Sequence, residues 1–451
     1  MSYPAYPAYK KSDVEWLGEV PEHWILTPLK HRALLNPRKS GYDGDTGRLC
    51  SFVPMEKLKT GVVQLDEERP IGEVIGGYTY FEDGDVLQAK VTPCFENKNV
   101  AIAKGLTNGI GFGSSEINVL RPYQGVNAEY LYYRVQEDSY MDFCTSSMIG
   151  AGGLKRVPTD VINNFKVATP EVFEQTQIAH FLDHETARID ALIEEQQRLI
   201  ELLKEKRQAV IYHAVTKGLD PTVPMKNSGV EWLGEVPAHW IVRKGGYIGM
   251  LFGSEAVPED MVNDSGNLPF LKVGSLSADT LSIGQWDFFV DPSIEKAYRP
   301  RSQFVIFPKR GAAIFLNKVN VVEVSALLDP NLMGWEMEAD NNAYYFANVL
   351  KCRGLAELAD VSTVPQINNK HISPEKFPVP PSGEQHDIVA FLDTEVSRFD
   401  QLVTEAENGV SLLIERRSAL ISAAVTGKID VRGWQPPASA QAPELAVAEA
   451  V

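Results

Sequence analysis

A mixed α/β chain built from two copies of one unit, each closing in a long amphipathic helix, is the fold the sequence predicts. Three observations predict it. VEWLGEVPEHW at 14–24 recurs as VEWLGEVPAHW at 230–240, identical at ten of eleven positions, and self-similarity of that length marks an internal duplication. Apolar residues recur with a seven-residue period in two stretches that match each other. Strand-like runs punctuated by Gly, Pro and Asn lie between the WLGEVP motif and the helix in each copy.

The elements follow in order. Residues 1–24 comprise an arm whose Tyr-Pro-Ala triplets at 3–9 read as extended polyproline, then the first WLGEVP segment. Residues 25–168 form the first insert, with GDVLQAKVTP (84–93) and EINVLRP (116–122) as strands. Residues 169–220 form a central long helix. Leu182, Ile189, Leu203 and Val210 share one heptad position, and Leu192 and Leu199 share another. Pro170 suits its first helical position. Residues 221–240 are a linker and the second WLGEVP segment, and 241–379 are the second insert, with strands in SQFVIFPKRG (302–311) and VNVVEVSA (319–326). The two inserts show no obvious similarity of sequence. Residues 380–430 form a distal long helix with Leu392, Phe399, Leu402, Leu413 and Leu420 in matching register. Two such stripes in one chain most simply bury each other. Ser382 and Gln385 have capping-box spacing, and Asn408-Gly409 predicts fraying or a kink. Residues 431–451 read as a disordered tail.

The duplication continues through the helices. EQTQIAHFLD (174–183) returns as EQHDIVAFLD (384–393), and both helices end in AVT. Trp16, Leu17 and Trp24, with Trp232, Leu233 and Trp240, are expected to anchor the WLGEVP segments. Glu174, Gln175, Glu384 and Gln385 read as capping residues.

Composition bounds the function. At 451 residues the chain holds two or three domains, and 44% hydrophobic with 23% charged residues is ordinary for a globular protein. Cys50, Cys94, Cys144 and Cys352 form no CxxC pair, which points to neither a zinc knuckle nor a disulfide framework and favours a reducing compartment. No apolar run reaches a membrane span and the start lacks an apolar signal core, so a cytoplasmic location is expected. The net charge of −17 argues against a surface that wraps nucleic acid everywhere, but the acid concentrates in the helical stretches and leaves room for basic patches on the inserts. Catalytic and metal sites find no complete set of parts. His180 and His184 lack an HExxH context, Gly111-Phe112-Gly113 lacks a methyltransferase motif after it, Asp85 with Gln88 and Lys90 is a loose nuclease spacing, and there is no Walker A loop.

The duplicated VEWLGEVP segments, the helix starts Glu174-Gln175…Arg188…Asp190 and Glu384-Gln385…Arg398…Asp400, the AVT ends, and AKVTPCFENKN (89–99) with GFGSSEINVLRP (111–122) together resemble the specificity subunits of type I restriction-modification systems. The resemblance covers nearly the whole chain. It implies two α/β target recognition domains joined by two long helices in an antiparallel coiled coil, with a pseudo-two-fold internal repeat. It also implies a non-catalytic subunit that reads a split, asymmetric double-stranded DNA target, one half per domain. Its partners would be two modification (methyltransferase) and two restriction (translocase/nuclease) subunits, which would carry S-adenosylmethionine, ATP and Mg. A helix of about 40 residues is roughly 60 Å long, so such a pair would act as a ruler between the readers. The competing readings are a self-sufficient nuclease or methyltransferase, and a coiled-coil scaffold without DNA specificity.

Base readout takes Arg or Lys to guanine and Asn or Gln to adenine, with hydroxyls on phosphate. In the first insert Lys90, Thr92, Asn97 and Lys98 flank the Pro93-Cys94 turn, and Ser114, Ser115, Lys155 and Arg156 sit near Gly-rich turns. In the second the candidates are Lys309, Arg310 and Asn317, with Thr363, Gln366, Asn368, Asn369 and Lys370 around TVPQINNKH. Each alone is equally well a solvated loop residue.

Overall fold

The computed structural model describes residues 3–39, 44–151, 153–253, 257–283, 285–291, 298–360 and 364–437. It separates into two units, one made of residues 1–196 with 408–451 and the other of residues 197–407. The chain thus exchanges helix halves. The first unit joins the start of the first long helix, Val172–Lys217, to the end of the second, Ser382–Val425, and the second unit does the converse.

Each unit is built on the same sheet although the inserts share no sequence. In the first unit an antiparallel sheet has the order Val100–Ile102, Val86–Ala89, Ile117–Pro122, Ala33–Leu35. The second unit's order is Asn320–Val322, Phe304–Pro308, Leu332–Met337, Gly249–Gly253. A second sheet in each carries one parallel pair, Leu49–Val53 with Ile110–Gly113 and Leu268–Leu271 with Leu327–Leu328. Central strands buried along their length explain the continuous apolar runs LPFL and FVIFP, since a strand covered on both faces has no polar alternation. A short strand after each WLGEVP segment pairs with the strand that leads into the helix: Ile25–Pro28 with Lys166–Thr169, and Ile241–Lys244 with Lys376–Val379.

The WLGEVP segments are the seats on which the exchanged helix ends rest. Trp24, Leu17 and Val20 are buried with Ala424 and Val425 of the second helix. Trp240, Leu233 and Val236 are buried with Ala214 and Val215 of the first. Large aromatic area buried here, with its one donor satisfied, is the main hold on each helix end. Trp24 Nε1–H donates to Glu174 Oε1 at 3.0 Å and Trp240 Nε1–H to Glu384 Oε2 at 2.8 Å. Tyr130 donates its hydroxyl to the Val425 carbonyl at 3.3 Å, and Tyr345 donates to that of Val215 at 2.9 Å, so each unit ties down the other repeat's AVT segment by the same bond.

The four residues expected as caps therefore have other roles. The helices begin before them, with Gln175 N–H on the Glu171 carbonyl and Gln385 N–H on the Pro381 carbonyl. Ser382 is already helical, its box with Gln385 is not formed, and Pro170 lies before the helix rather than at its first position. Gln175 Oε1 instead accepts from Asn127 N–H at 2.9 Å, and Gln385 Oε1 from Asn342 N–H at 2.7 Å. Both glutamines are buried, and each amide also donates to a proline carbonyl at 2.9 Å. Glu174 accepts from Tyr6 (2.7 Å) as well as Trp24.

Within each unit the helix halves run antiparallel. Arg417 pairs with Asp190 at 2.7 Å in the first; Lys204 pairs with Glu407 at 3.6 Å and Arg207 with Asp400 at 2.9 Å in the second. Leu182, Ile189, Leu392 and Phe399 are buried, while Leu203, Val210, Leu413 and Leu420 are half-buried. Leu192, Leu199 and Leu402, expected in the seam, are 39%, 42% and 39% exposed. The apolar stripe is wider than a two-stranded contact can cover, so its flank faces outward once one seam is filled. The helix continues through Asn408 and Gly409 without the expected fraying.

Both chain ends pack on the first unit. The arm packs: Tyr6 is buried, Tyr3 meets the Phe181 ring edge-on at 5.1 Å, and the Pro4 carbonyl accepts from Asp430 N–H at 2.7 Å. Val431 is buried, and Trp434 packs on Phe181 with its carbonyl held by Gln177 at 2.7 Å, so residues 431–434 are not tail. Residues 438–451 lie outside the described residues.

Candidate nucleic-acid interface

The candidate contacts gather where the central strand of each sheet runs out. In the first unit Val86–Ala89 passes into Lys90, whose N–H donates to the Glu116 carbonyl at 3.0 Å and whose carbonyl accepts from Val157 at 3.0 Å. In the second, Phe304–Pro308 passes into Lys309, whose N–H donates to the Asn331 carbonyl at 2.7 Å and whose carbonyl accepts from Ile367 at 2.8 Å. Lys90 and Lys309 thus occupy one position in a shared backbone. The next residue makes an isolated antiparallel bridge in both, Val91 with Arg156 and Arg310 with Gln366. Residues paired across an antiparallel bridge present neighbouring side chains. The same frame therefore offers Val91/Arg156 in one unit and Arg310/Gln366 in the other.

Around Lys90 the first unit presents an exposed hairpin, Ile149–Ala151 with Leu154–Arg156. It is held to the Thr92 turn by Thr92 Oγ1–H on the Gly153 carbonyl at 2.6 Å and Lys155 N–H on Thr92 Oγ1 at 3.0 Å. Lys155 stands on this hairpin. Arg156 grips Glu116 through two bonds, 2.6 and 3.1 Å, which hold that carboxyl below its usual range. Ser115 is exposed beside Lys90, while Ser114 accepts the Glu116 N–H at 3.2 Å. Asn97 is exposed just beyond the turn that holds the cis Thr92–Pro93 bond. Lys98 points its ammonium elsewhere, to Asp138 (3.1 Å) and Ser418 (2.8 Å) on the long helix.

In the second unit Arg310 and Gln366 are exposed. Asn317 is spent on structure, donating to the Lys351 carbonyl at 2.8 Å and accepting from Leu355 N–H at 3.0 Å in a left-handed conformation. Asn368 caps the short helix Asn369–Ile372, and Lys370 pairs with Asp360 at 2.7 Å. Asn369 is exposed. Thr363 lies outside the described residues.

The loose nuclease spacing resolves into packing. Asp85 accepts two bonds from Arg121, at 2.8 and 2.7 Å, and Gln88 accepts from Tyr140 at 2.8 Å inside the core. Gly111 and Gly113 lie in a strand where a Cβ would meet Phe81, so they are packing glycines. Sequence reasoning misses Asn36, Arg38, Lys39, Tyr78 and Tyr80, which line a cleft with Lys90 and Ser115. The Asn-Pro-Arg-Lys run is their only signal.

Residues 239–415 match the family model described as the type I restriction modification DNA specificity domain. The EcoEI type I restriction enzyme specificity subunit of Escherichia coli is 37% identical over 175 residues, 38% of this chain, and the chain covers 29% of that protein's length. Among solved structures, a chain from a study of complex assembly and conformational transition of the type I R-M system superposes with a TM-score of 0.73 at 16% identity, covering 90% of this chain and 98% of that one. The HsdS subunit from Thermoanaerobacter tengcongensis does so with a TM-score of 0.56 at 18% identity and the same coverage. Residues 239–415 thus match the type I restriction modification DNA specificity domain, and the chain shares the fold of the HsdS subunit from Thermoanaerobacter tengcongensis.

Proposed function

We propose that the chain is the sequence-reading subunit of a type I restriction-modification complex, each unit reading one half of a split, asymmetric double-stranded DNA target. The observation that carries this is the pairing of one backbone frame with two unlike sets of side chains: Lys90, Val91 and Arg156 in one unit, Lys309, Arg310 and Gln366 in the other. A shared frame with divergent polar tips is what two readers of different half-sites need, because base identity is read by side-chain donors and acceptors while the backbone sets their spacing. In this reading Lys155, Ser115, Asn97 and Thr92 flank the first patch and Asn369 and Lys370 the second. Lys98, Asn317 and Asn368 support the frame.

The chain does no covalent chemistry of its own in this proposal. It joins two modification and two restriction subunits, which bind S-adenosylmethionine, ATP and Mg, in the cytoplasm. Among the described residues no helix is long and apolar enough to cross a membrane. The test is selection from a randomised duplex pool by the chain assembled with its modification subunits. Enrichment of two short motifs at fixed separation is expected, and a flat pool overturns the proposal. Turnover of DNA by the chain alone with S-adenosylmethionine, ATP and Mg would favour the enzyme reading instead.

A further inference from the structure

Each unit holds a cleft beside its reading patch. The first unit's, of about 590 Å³, is lined by Arg38, Lys39, Lys90, Tyr78, Tyr80 and Ser115, with no carboxylate among the described residues of its wall. A cleft in the second unit, of about 470 Å³, is bounded by Asn331, the residue that receives the Lys309 N–H. Glu259, Asp264 and Asp329 line that cleft, and the one cation among its described lining residues, Lys272, sits 3.5 Å over the Phe288 ring. Both clefts border the turn that receives the Lys90 or Lys309 N–H, at Ser115 in one and Asn331 in the other, and their described walls oppose each other in charge.

The rims keep the contrast. Lys155 and Arg156 add two cations to the first, against Glu116. Lys309, Arg310 and Lys370 of the neighbouring patch add three to the second, against Asp360, so the carboxylates named here equal the cations in number among the described residues. Arg38 is exposed, and Lys39 is oriented by bonds to the Gly76 and Tyr78 carbonyls at 3.0 and 3.4 Å. Phosphate affinity follows local cation excess through release of condensed counterions, whereas readout of a base edge needs shape and donors but no net charge.

We infer that the first unit supplies the salt-sensitive grip on the DNA backbone, through Arg38 and Lys90 in its cleft, and that the second unit engages its half-site with little net phosphate attraction. This rests on the DNA-reading role proposed above. The chain's −17 net charge makes such a division useful: an acidic protein meets a polyanion through one basic mouth, which sets the docking order, first unit then second.

The test is a salt titration of binding to a mixed-sequence duplex by the full chain assembled with its modification subunits. Two double variants are compared, R38A/K90A and K309A/R310A, all four side chains being exposed or half-exposed. R38A/K90A should flatten the plot of log affinity against log salt by about 1.8, at roughly 0.9 for each phosphate no longer neutralised. K309A/R310A should flatten it by less than half of that. E259Q/D264N, which removes repulsion in the second cleft, should steepen the slope. Equal flattening by both double variants, or no response to E259Q/D264N, overturns the inference and leaves the DNA-reading role standing. An unmodified complex that binds no duplex at any salt overturns both.

Discussion

Substituting Gly427 by Ala should loosen the first unit and leave the second alone. Gly427 ends the second long helix with φ +74°, and a Cβ there would stand 2.4 Å from Pro21 Cδ, 2.6 Å from Pro21 Cγ and 3.2 Å from the Trp24 ring. Two costs add. An L side chain in the left-handed region costs about 1–2 kcal/mol. Pushing a methyl into a filled site costs a further 1–3 kcal/mol or so, because Trp24 is fully buried and Pro21 is buried with it, so neither ring can yield. The sum is about 2–5 kcal/mol. Gly218, which ends the first helix at φ +76°, is the internal control: its nearest neighbours would be the Trp240 ring at 3.2 Å and Pro237 Cγ at 3.8 Å, so Gly218→Ala bears the conformational cost and little else. Amide hydrogen exchange of the full chain reads the two WLGEVP segments separately. Gly427→Ala should lower protection over 17–24 by the stated amount with 233–240 unchanged. A loss of equal size from Gly218→Ala refutes the steric reasoning, and a loss spread over both segments refutes the exchanged seating of the helix ends.

Three further outcomes are expected. Glu174→Ala leaves the buried Tyr6 and Trp24 donors unpaired and should cost about 2–4 kcal/mol in urea unfolding; Glu384→Ala, whose carboxylate is far more exposed, should cost less. In the assembled complex Arg310→Ala should relax one base position of the second half-site by roughly 1–3 kcal/mol in a selection experiment, and a loss uniform over all sequences would make it a phosphate contact. Burial pushes the Asp138 carboxyl up, but bonds from Ser418, Lys98 and Ser422 outweigh it and hold the group below its ordinary value. Its contribution is then present above the unfolded-state value and is lost as pH falls through the lower folded one. Asp138→Asn should therefore flatten the acid limb of a denaturation curve, and an unchanged limb would show the bonds contribute nothing.

The duplicated segments are legible because they repeat residue for residue: Trp24 and Trp240, Gln175 and Gln385, the AVT ends. Their meaning is less so. Glu174 and Gln175 look like caps in one dimension, and only the fold shows that Trp24 and Asn127, at the start of the helix that holds Tyr130, come within reach of them. The inserts hide their kinship because burial on both faces asks for apolar residues without specifying which; FVIFP and VLQA fill the same strand. Polarity near turns selects Lys90 and Lys309, but it cannot show that both follow the central strand, nor separate them from Lys98 and Asn317, whose polar ends are consumed locally. Leu192, Leu199 and Leu402 satisfy the heptad yet stay exposed, since periodicity marks a face and not the number of helices that cover it.

The exchange of helix halves also inverts the order in which the protein can mature on the ribosome. Domains ordinarily close as they emerge, N-terminal first. Here the leading unit lacks Ala424, Val425 and Val431 until residues 197–407 have been made, so Trp24 and Tyr130 wait with an open flank through the whole of the trailing unit's synthesis. The trailing unit is one uninterrupted stretch, 197–407, and can shut while the remainder is still being synthesised. A chain cut between 407 and 421 would thus leave the trailing unit whole and the core of the leading one open.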